Sequence, residues 1–118
     1  ATRARTLLRE DYEEAFKRCD VLAAPTSPTV AFRLGERAAD PVSMYLSDIL
    51  TVSANLAGLP ALSLPAGFTA PADDSQSALP VGLQLTAPHS ADAKLLRLAA
   101  ALETVSEHHK SAPRGGAA

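Results

Sequence analysis

The spacing of apolar and polar positions divides the chain into alternating helical and extended segments. Leu8, Tyr12, Ala15, Phe16 and Cys19 recur at three- and four-residue steps between Arg3 and Asp20, with Arg9, Glu10, Glu13, Glu14 and Lys17 opposite. That pattern predicts a one-faced surface helix whose charges balance locally, as on a solvated face. Val21 to Ala24 form a continuous apolar run closed by Pro25 and Pro28, which predicts a strand buried on both faces. The two prolines of PTSPT then take the chain out of the sheet, into an extended loop through Phe32 and Leu34 to Gly35.

Asp40 and Pro41 are an acidic N-cap and a first-turn proline, and Gly58 with Pro60 supplies the stop, so a single helix is expected from Pro41 to Ala57. Val42, Tyr45, Leu46, Ile49 and Ser53 share one of its faces. The strand Ala61 to Pro65 follows, with Leu62 and Leu64 on one side and Ala61 and Ser63 on the other. Thr69 to Leu79 has no period and reads as a solvent loop tolerant of insertion, its acids Asp73 and Asp74 solvated. From Pro80, the residues Val81, Leu83 and Leu85 alternate with Gly82, Gln84 and Thr86, so Gln84 points away from the aliphatic face.

Ser90 as cap and Asp92 in the first turn open a last helix, striped by Leu95, Leu98, Ala99, Leu102 and Val105. Beyond Glu107 all periodicity is lost, and residues 108–118 read as a flexible tail to one domain spanning 1–107. The order of elements predicts an α/β layer with helices covering a sheet. Its visible strands number fewer than the roughly five or six of an average sheet, so the sheet is incomplete on its own.

Composition narrows the classes. A chain of 118 residues holds one domain at most. With 47% hydrophobic residues, 4% aromatics and no tryptophan, its core rests on Leu, Ala and Val. Eleven basic residues against thirteen acidic ones give a net charge of -2, which argues against a phosphate-tracking surface. The lone Cys19 excludes an internal disulfide or a multi-cysteine metal site and reads as an ordinary buried thiol. No apolar run reaches the roughly 18 to 20 residues of a membrane span, so a soluble protein with no membrane partner is expected. The chain begins without methionine and enters a helical pattern within a few residues, as a piece cut from a longer protein would.

One residue sits awkwardly. On a helical wheel Asp48 falls at the border of the apolar stripe, beside Met44, Tyr45 and Val52. Spacing admits two readings: an acid at the solvent boundary, or a counter-charge for a ligand ammonium, since a half-buried carboxylate needs a partner. No catalytic motif completes itself. There is no G-x-S-x-G turn, glycine-rich phosphate loop, H-E-x-x-H or paired-cysteine spacing. Thr26 and Ser27 have no histidine or lysine in a recognisable pairing and read as turn residues, and adjacent His108 and His109 in a tail make a poor metal pair.

The stretches RTLLREDYEEAF, DVLAAPTSPTVAF, DPVSMYLSDILTVSANLAGLPALSLPAGF and LPVGLQL, in that order and followed by a Leu- and Ala-rich helix, resemble the C-terminal part of the amidase signature family. NLAGLPALSLPAG and LPVGLQL are shared widely among amidases. MYLSDILT points within them to the A subunits of glutamyl-tRNA(Gln) amidotransferases. The resemblance runs from about Arg5 to Glu103. It implies an α/β/α fold around a mixed sheet, and glutamine hydrolysis through an acyl-enzyme on a serine, cis-serine and lysine triad. The ammonia released serves a B subunit that uses ATP and Mg²⁺ to amidate Glu-tRNA(Gln) to Gln-tRNA(Gln). The resemblance further implies a C subunit as partner, tRNA engaged mainly through the B subunit, and cofactors that belong to the partner, with none expected in this chain.

The family's triad lies upstream of the matching region, so the resemblance implies that this chain is inactive by itself. Lys17, Lys94 and Lys110 are not the catalytic lysine, nor Ser43, Ser53 or Ser63 the nucleophile. Asp48 matches the family acid that binds the α-ammonium of glutamine, while the guanidinium for the α-carboxylate has no assigned place here. The polar Thr69 to Leu79 loop and the divergent tail suggest an organelle-targeted or high-GC bacterial source. The compartment expected is the cytoplasm in a bacterium, and the mitochondrial matrix or chloroplast stroma in a eukaryote. Two other readings stand beside this one: another amidase-signature hydrolase, whose uncharged amide substrate would leave Asp48 without an ammonium, and a non-catalytic α/β interaction module, which would unfold cooperatively by itself.

Overall fold

The computed structural model describes residues 2–37, 39–70 and 78–112. Helix α1 runs Thr2–Phe16, strand β1 Leu22–Pro25, helix α2 Pro41–Leu46, helix α3 Val52–Ala57, strand β2 Ala61–Phe68, strand β3 Pro80–Thr86 and helix α4 Asp92–Val105. A 3-10 turn, His108–Lys110, follows. The α/β class is as the sequence predicts.

The three strands pair antiparallel in the order β1-β3-β2, with β3 central. Leu62 opposes Leu85 and Leu64 opposes Leu83, while Ser63 opposes Gln84 on the other face. The leucine face carries the core: Leu64, Leu85, Ala87 and Leu95 are buried, and Leu62, Leu83, Leu98 and Leu102 pack against them. Helix α4 thus lays its stripe on β2 and β3. Burying an aliphatic side chain of this size stabilises by about 1.5–3 kcal/mol, so this contact holds the layer together.

Strand β1 is not buried on both faces. It lies at the sheet edge with Leu22 and Ala24 half-buried and Ala23 and Pro25 exposed. The core cluster draws on β2, on β3 with the adjoining Ala87, and on α4; of the predicted run only Val21, just ahead of β1, packs against it. Edge placement also explains why Pro25 and Pro65 are accepted inside strands, since an edge strand turns one side of its ladder away from any partner. Strand β2 runs past Pro65 to Phe68 by way of a register shift between Pro65 and Gly67, where Gly67 takes φ 150. Thr69 then closes the connection to β3, its N–H donating to the Leu79 carbonyl at 2.9 Å and its Oγ1 accepting from the Leu79 N–H at 3.0 Å. Asp73 and Asp74 lie outside the described residues.

Several helix boundaries move. Helix α1 ends at Phe16, where the N–H groups of Lys17 and Arg18 turn to carbonyls three residues back. Cys19 falls beyond it and is half-buried rather than buried, its Sγ donating to the Ala15 carbonyl at 3.4 Å. Ser90 does not cap α4. The Ala91 N–H bonds the Pro88 carbonyl at 3.0 Å, a turn that leaves Ser90 at φ 63 and makes Ala91 the N-cap. Val105, expected in the stripe, is 81% exposed at the last residue of the helix. His108 leaves the expected aperiodic tail to pack edge-on against Phe68, ring centroids 6.1 Å apart.

The largest difference is in the Pro41 to Ala57 segment. Asp40 caps it as expected, accepting from the Val42 N–H at 3.1 Å. The Ser43 hydroxyl at 2.5 Å, and then backbone N–H groups, hold the Asp40 carboxyl below its ordinary value. But the helix stops at Leu46 and restarts at Val52. Between them Ser47, Asp48 and Ile49 donate to carbonyls three residues back, and Asp48 O receives both the Thr51 and Val52 N–H groups. Side-chain hydroxyls help break the ladder: Ser47 Oγ donates to the Ser43 carbonyl and Thr51 Oγ1 to the Asp48 carbonyl, each at 3.1 Å.

Gly82 sits in a close approach on the polar face of the sheet. A Cβ there would lie 2.8 Å from Thr26 Oγ1 and 3.0 Å from Ser63 Oγ. Gly82→Ala is expected to destabilise the full-length protein that contains these residues by about 1–3 kcal/mol through overpacking. A fall in thermal midpoint of several degrees would show it, and an unchanged midpoint would count against the close approach.

Candidate functional site

The turn 47–51 between α2 and α3 lies over the polar face of the sheet. Gln84, 8% exposed on that face, donates from Nε2 to the Leu50 carbonyl at 2.9 Å. At the other end of the turn, Ser47 is held three ways. Its Oγ accepts from Arg37 Nη1 at 2.6 Å and donates to Ser43, and its carbonyl accepts from Ser27 Oγ at 3.4 Å. Asp48 is the residue between these fixed points. Its side chain is exposed, and among the described residues it makes no salt bridge.

Asp48 therefore stands on a pinned turn, and not on a continuous helix. The neighbouring groove, of about 360 Å³, is lined by Pro28, Thr29, Arg37, Ser43, Leu46, Ser47 and Ile49. Asp48 is flanked in sequence by two of these residues without being one of them. The backbone beneath Asp48 is thus fixed from both sides, while its exposed carboxylate has no salt-bridge partner among the described residues and can pair with a cationic group.

Arg37 escaped the sequence reading. Its guanidinium spans Ser47 and Thr29, the latter at 3.1 Å, and its carbon sits 4.3 Å from the centroid of the Phe32 ring. The signal available in the sequence was faint: an arginine in a loop, three residues ahead of a helix cap, with hydroxyls scattered on either side.

The remaining candidates settle into structural roles. Lys17, Lys94 and Lys110 pair with Glu14, Asp20 and Glu107 at 2.5, 2.7 and 2.9 Å. The Lys94 hydrogen bond, and then its charge, hold the Asp20 carboxyl below its ordinary value. Ser43 serves the Asp40 cap, Ser53 bonds Tyr12 Oη at 2.7 Å and Ser63 bonds Thr26 Oγ1 at 2.6 Å. Among the described residues no histidine or lysine hydrogen-bonds any of these serines, Thr26 or Ser27. Nor do those residues hold a group of three or more His, Cys, Asp and Glu side chains fit for a metal, and no helix among them is long and apolar enough to cross a membrane.

The amidase family model matches residues 1–96, and the chain belongs to that family. Within it, the chain is similar to the A subunit of the glutamyl-tRNA(Gln) amidotransferase of Moorella thermoacetica, 54% identical over 118 residues that are 100% of this chain and 23% of the relative. The corresponding proteins of Dechloromonas aromatica and Acaryochloris marina, of the same name, are each 50% identical, over 98% and 97% of this chain and 22% of their own lengths. The chain thus spans less than a quarter of the length of these relatives.

Proposed function

We propose that these residues form part of the glutamine-hydrolysing component of a glutamyl-tRNA(Gln) amidotransferase. The observation that carries this reading is identity near 50% across essentially the whole chain to proteins of that name. In it the segment contributes sheet, a substrate wall and Asp48, whose carboxylate receives the α-ammonium of glutamine. The nucleophilic chemistry comes from residues outside these 118. The partner B subunit uses ATP and Mg²⁺ and is the main point of contact with tRNA. The complex is completed by a C subunit. The compartment is the bacterial cytoplasm, or the matrix or stroma of an organelle.

The test uses the full-length protein that contains these residues, assembled with its partners. Glutamine should yield ammonia, and with ATP and Mg²⁺ the charged Glu-tRNA(Gln) should become Gln-tRNA(Gln). The 118 residues expressed alone should release none. Hydrolysis of simple amides with no turnover of glutamine would replace this reading with that of another amidase, and glutaminase activity of the isolated chain would overturn the placement of its chemistry elsewhere.

A further inference from the structure

The turn that carries Asp48 is fixed through Ser47, and Ser47 is held by a residue from a different part of the chain. Arg37 belongs to the loop between β1 and α2. It is half-buried, and among the described residues it forms no salt bridge, although Glu36 is its neighbour. Glu36 instead accepts from the Arg33 N–H at 2.9 Å. The guanidinium spends its fork on two neutral hydroxyls, Ser47 Oγ and Thr29 Oγ1, while its central carbon lies over the Phe32 ring.

That arrangement joins three points of the loop, Thr29, Phe32 and Arg37, to the first residue of the Asp48 turn. A planar guanidinium reaches two acceptors at a fixed angle and can stack on a ring at the same time, which an ammonium on a flexible stem cannot do. Ser27 adds a weaker link from the same loop to the Ser47 carbonyl. The loop and the turn are therefore one unit, joined chiefly through the Arg37 side chain and more weakly through Ser27. Removing the Arg37 side chain leaves Gln84 to hold the far end of the turn at Leu50 while the near end loses its strongest donor.

We propose that Arg37 is a positioning residue for Asp48, setting through Ser47 where the carboxylate meets the α-ammonium of the substrate. This rests on the ammonium role of Asp48 given above. Arg37 does not touch the substrate in this scheme. It acts on selectivity for a charged amino group and leaves the attack on the amide carbon unaffected.

The experiment compares glutamine with glutaramate, the same amide lacking the α-amino group, in the full-length protein bearing Arg37→Ala, Arg37→Lys, Ser47→Ala or the Arg37→Ala/Ser47→Ala pair, with Asp48→Asn as reference. Arg37→Ala is expected to raise KM for glutamine about 10-fold, with kcat within about twofold and glutaramate kinetics unchanged. Ser47→Ala should reproduce the selective loss, and the double variant should lose no more than Arg37→Ala alone, since both remove one link. Arg37→Lys should recover little, because it keeps the charge but not the fork.

Equal losses on both substrates would reduce Arg37 to a structural support and overturn the proposal, as would full rescue by Lys, which would make charge and not geometry the cause. If Asp48→Asn separates the two substrates and Arg37→Ala does not, the Arg37 proposal fails alone. If Asp48→Asn itself fails to separate them, the ammonium reading fails and the proposal falls with it.

Discussion

Asp48→Asn in the full-length protein is expected to lower kcat/KM for glutamine about 10- to 150-fold. That range is the loss of one charge-assisted hydrogen bond worth about 1.5–3 kcal/mol, converted at 1.4 kcal/mol per tenfold. Asn is nearly isosteric and keeps an acceptor oxygen, so the turn, whose bonds use the Asp48 backbone, is left in place. What disappears is the negative charge. The effect should fall on KM if the ammonium is bound equally in the ground and transition states. Glutaramate, with no ammonium, should lose little, and raised salt should weaken glutamine binding in the wild type more than in the variant. Losses of equal size on both substrates would return Asp48 to a plain exposed acid on a turn.

The expected size depends on dehydration. Asp48 is exposed within these residues, and an exposed ion pair contributes only about 0–1 kcal/mol. An effect of tenfold or more therefore requires that the rest of the full-length protein close over the carboxylate when substrate is present. A loss of only two- or threefold, still selective for glutamine, would place the ammonium contact in open solvent.

Much of this fold was legible because its patterns are local. Leu83 and Leu85 alternate with Gln84 and Thr86, and β3 forms with the faces that alternation dictates. Asp40 and Pro41 start α2 as their chemistry requires, and Gly58, at φ 71, ends α3 in the left-handed cap. The break at 47–51 was not legible. The hydrophobic period runs unbroken through it, and only the tertiary bonds from Arg37, Ser27 and Gln84, joined by the hydroxyls of Ser47 and Thr51, decide against the ladder. The exposure of β1 is hidden in the sequence for a related reason: a short apolar run looks the same at a sheet edge as at its centre, and which it is depends on long-range strand pairing, here to β3 on one side only.

For the candidate site, the sequence singled out the turn by its charge but not the means that fix it. Asp48 stood out as a carboxylate beside an apolar stripe. Arg37 did not stand out, since it lies eleven positions before Asp48 and the loop it belongs to follows no period. Gln84 was correctly faced by alternation, though its partner, a backbone carbonyl 34 residues away, leaves no trace in sequence.

Gln84 supplies the other large effect. It is almost fully buried, and its Nε2 is the donor that satisfies the Leu50 carbonyl. Gln84→Leu fits the volume but leaves that carbonyl unpaired, an expected loss of about 1–3 kcal/mol. Gln84→Glu should cost more at neutral pH despite closer shape, because an ionised carboxylate has no proton to donate and sets negative charge against a carbonyl oxygen in a buried place. The two variants part on acidification. Burial raises the folded-state pKa of the introduced Glu above its unfolded value, so the folded state binds the proton more tightly and the penalty shrinks as pH falls through that raised pKa. Once protonated, the carboxyl can donate to the Leu50 carbonyl as the amide did. The thermal midpoint of Gln84→Glu, measured as a difference from wild type, should therefore recover toward acid, whereas that of Gln84→Leu should stay parallel to wild type across the same range. A Gln84→Glu difference that does not vary with pH would show that Gln84 faces solvent, and would release the Asp48 turn from its anchor on the sheet.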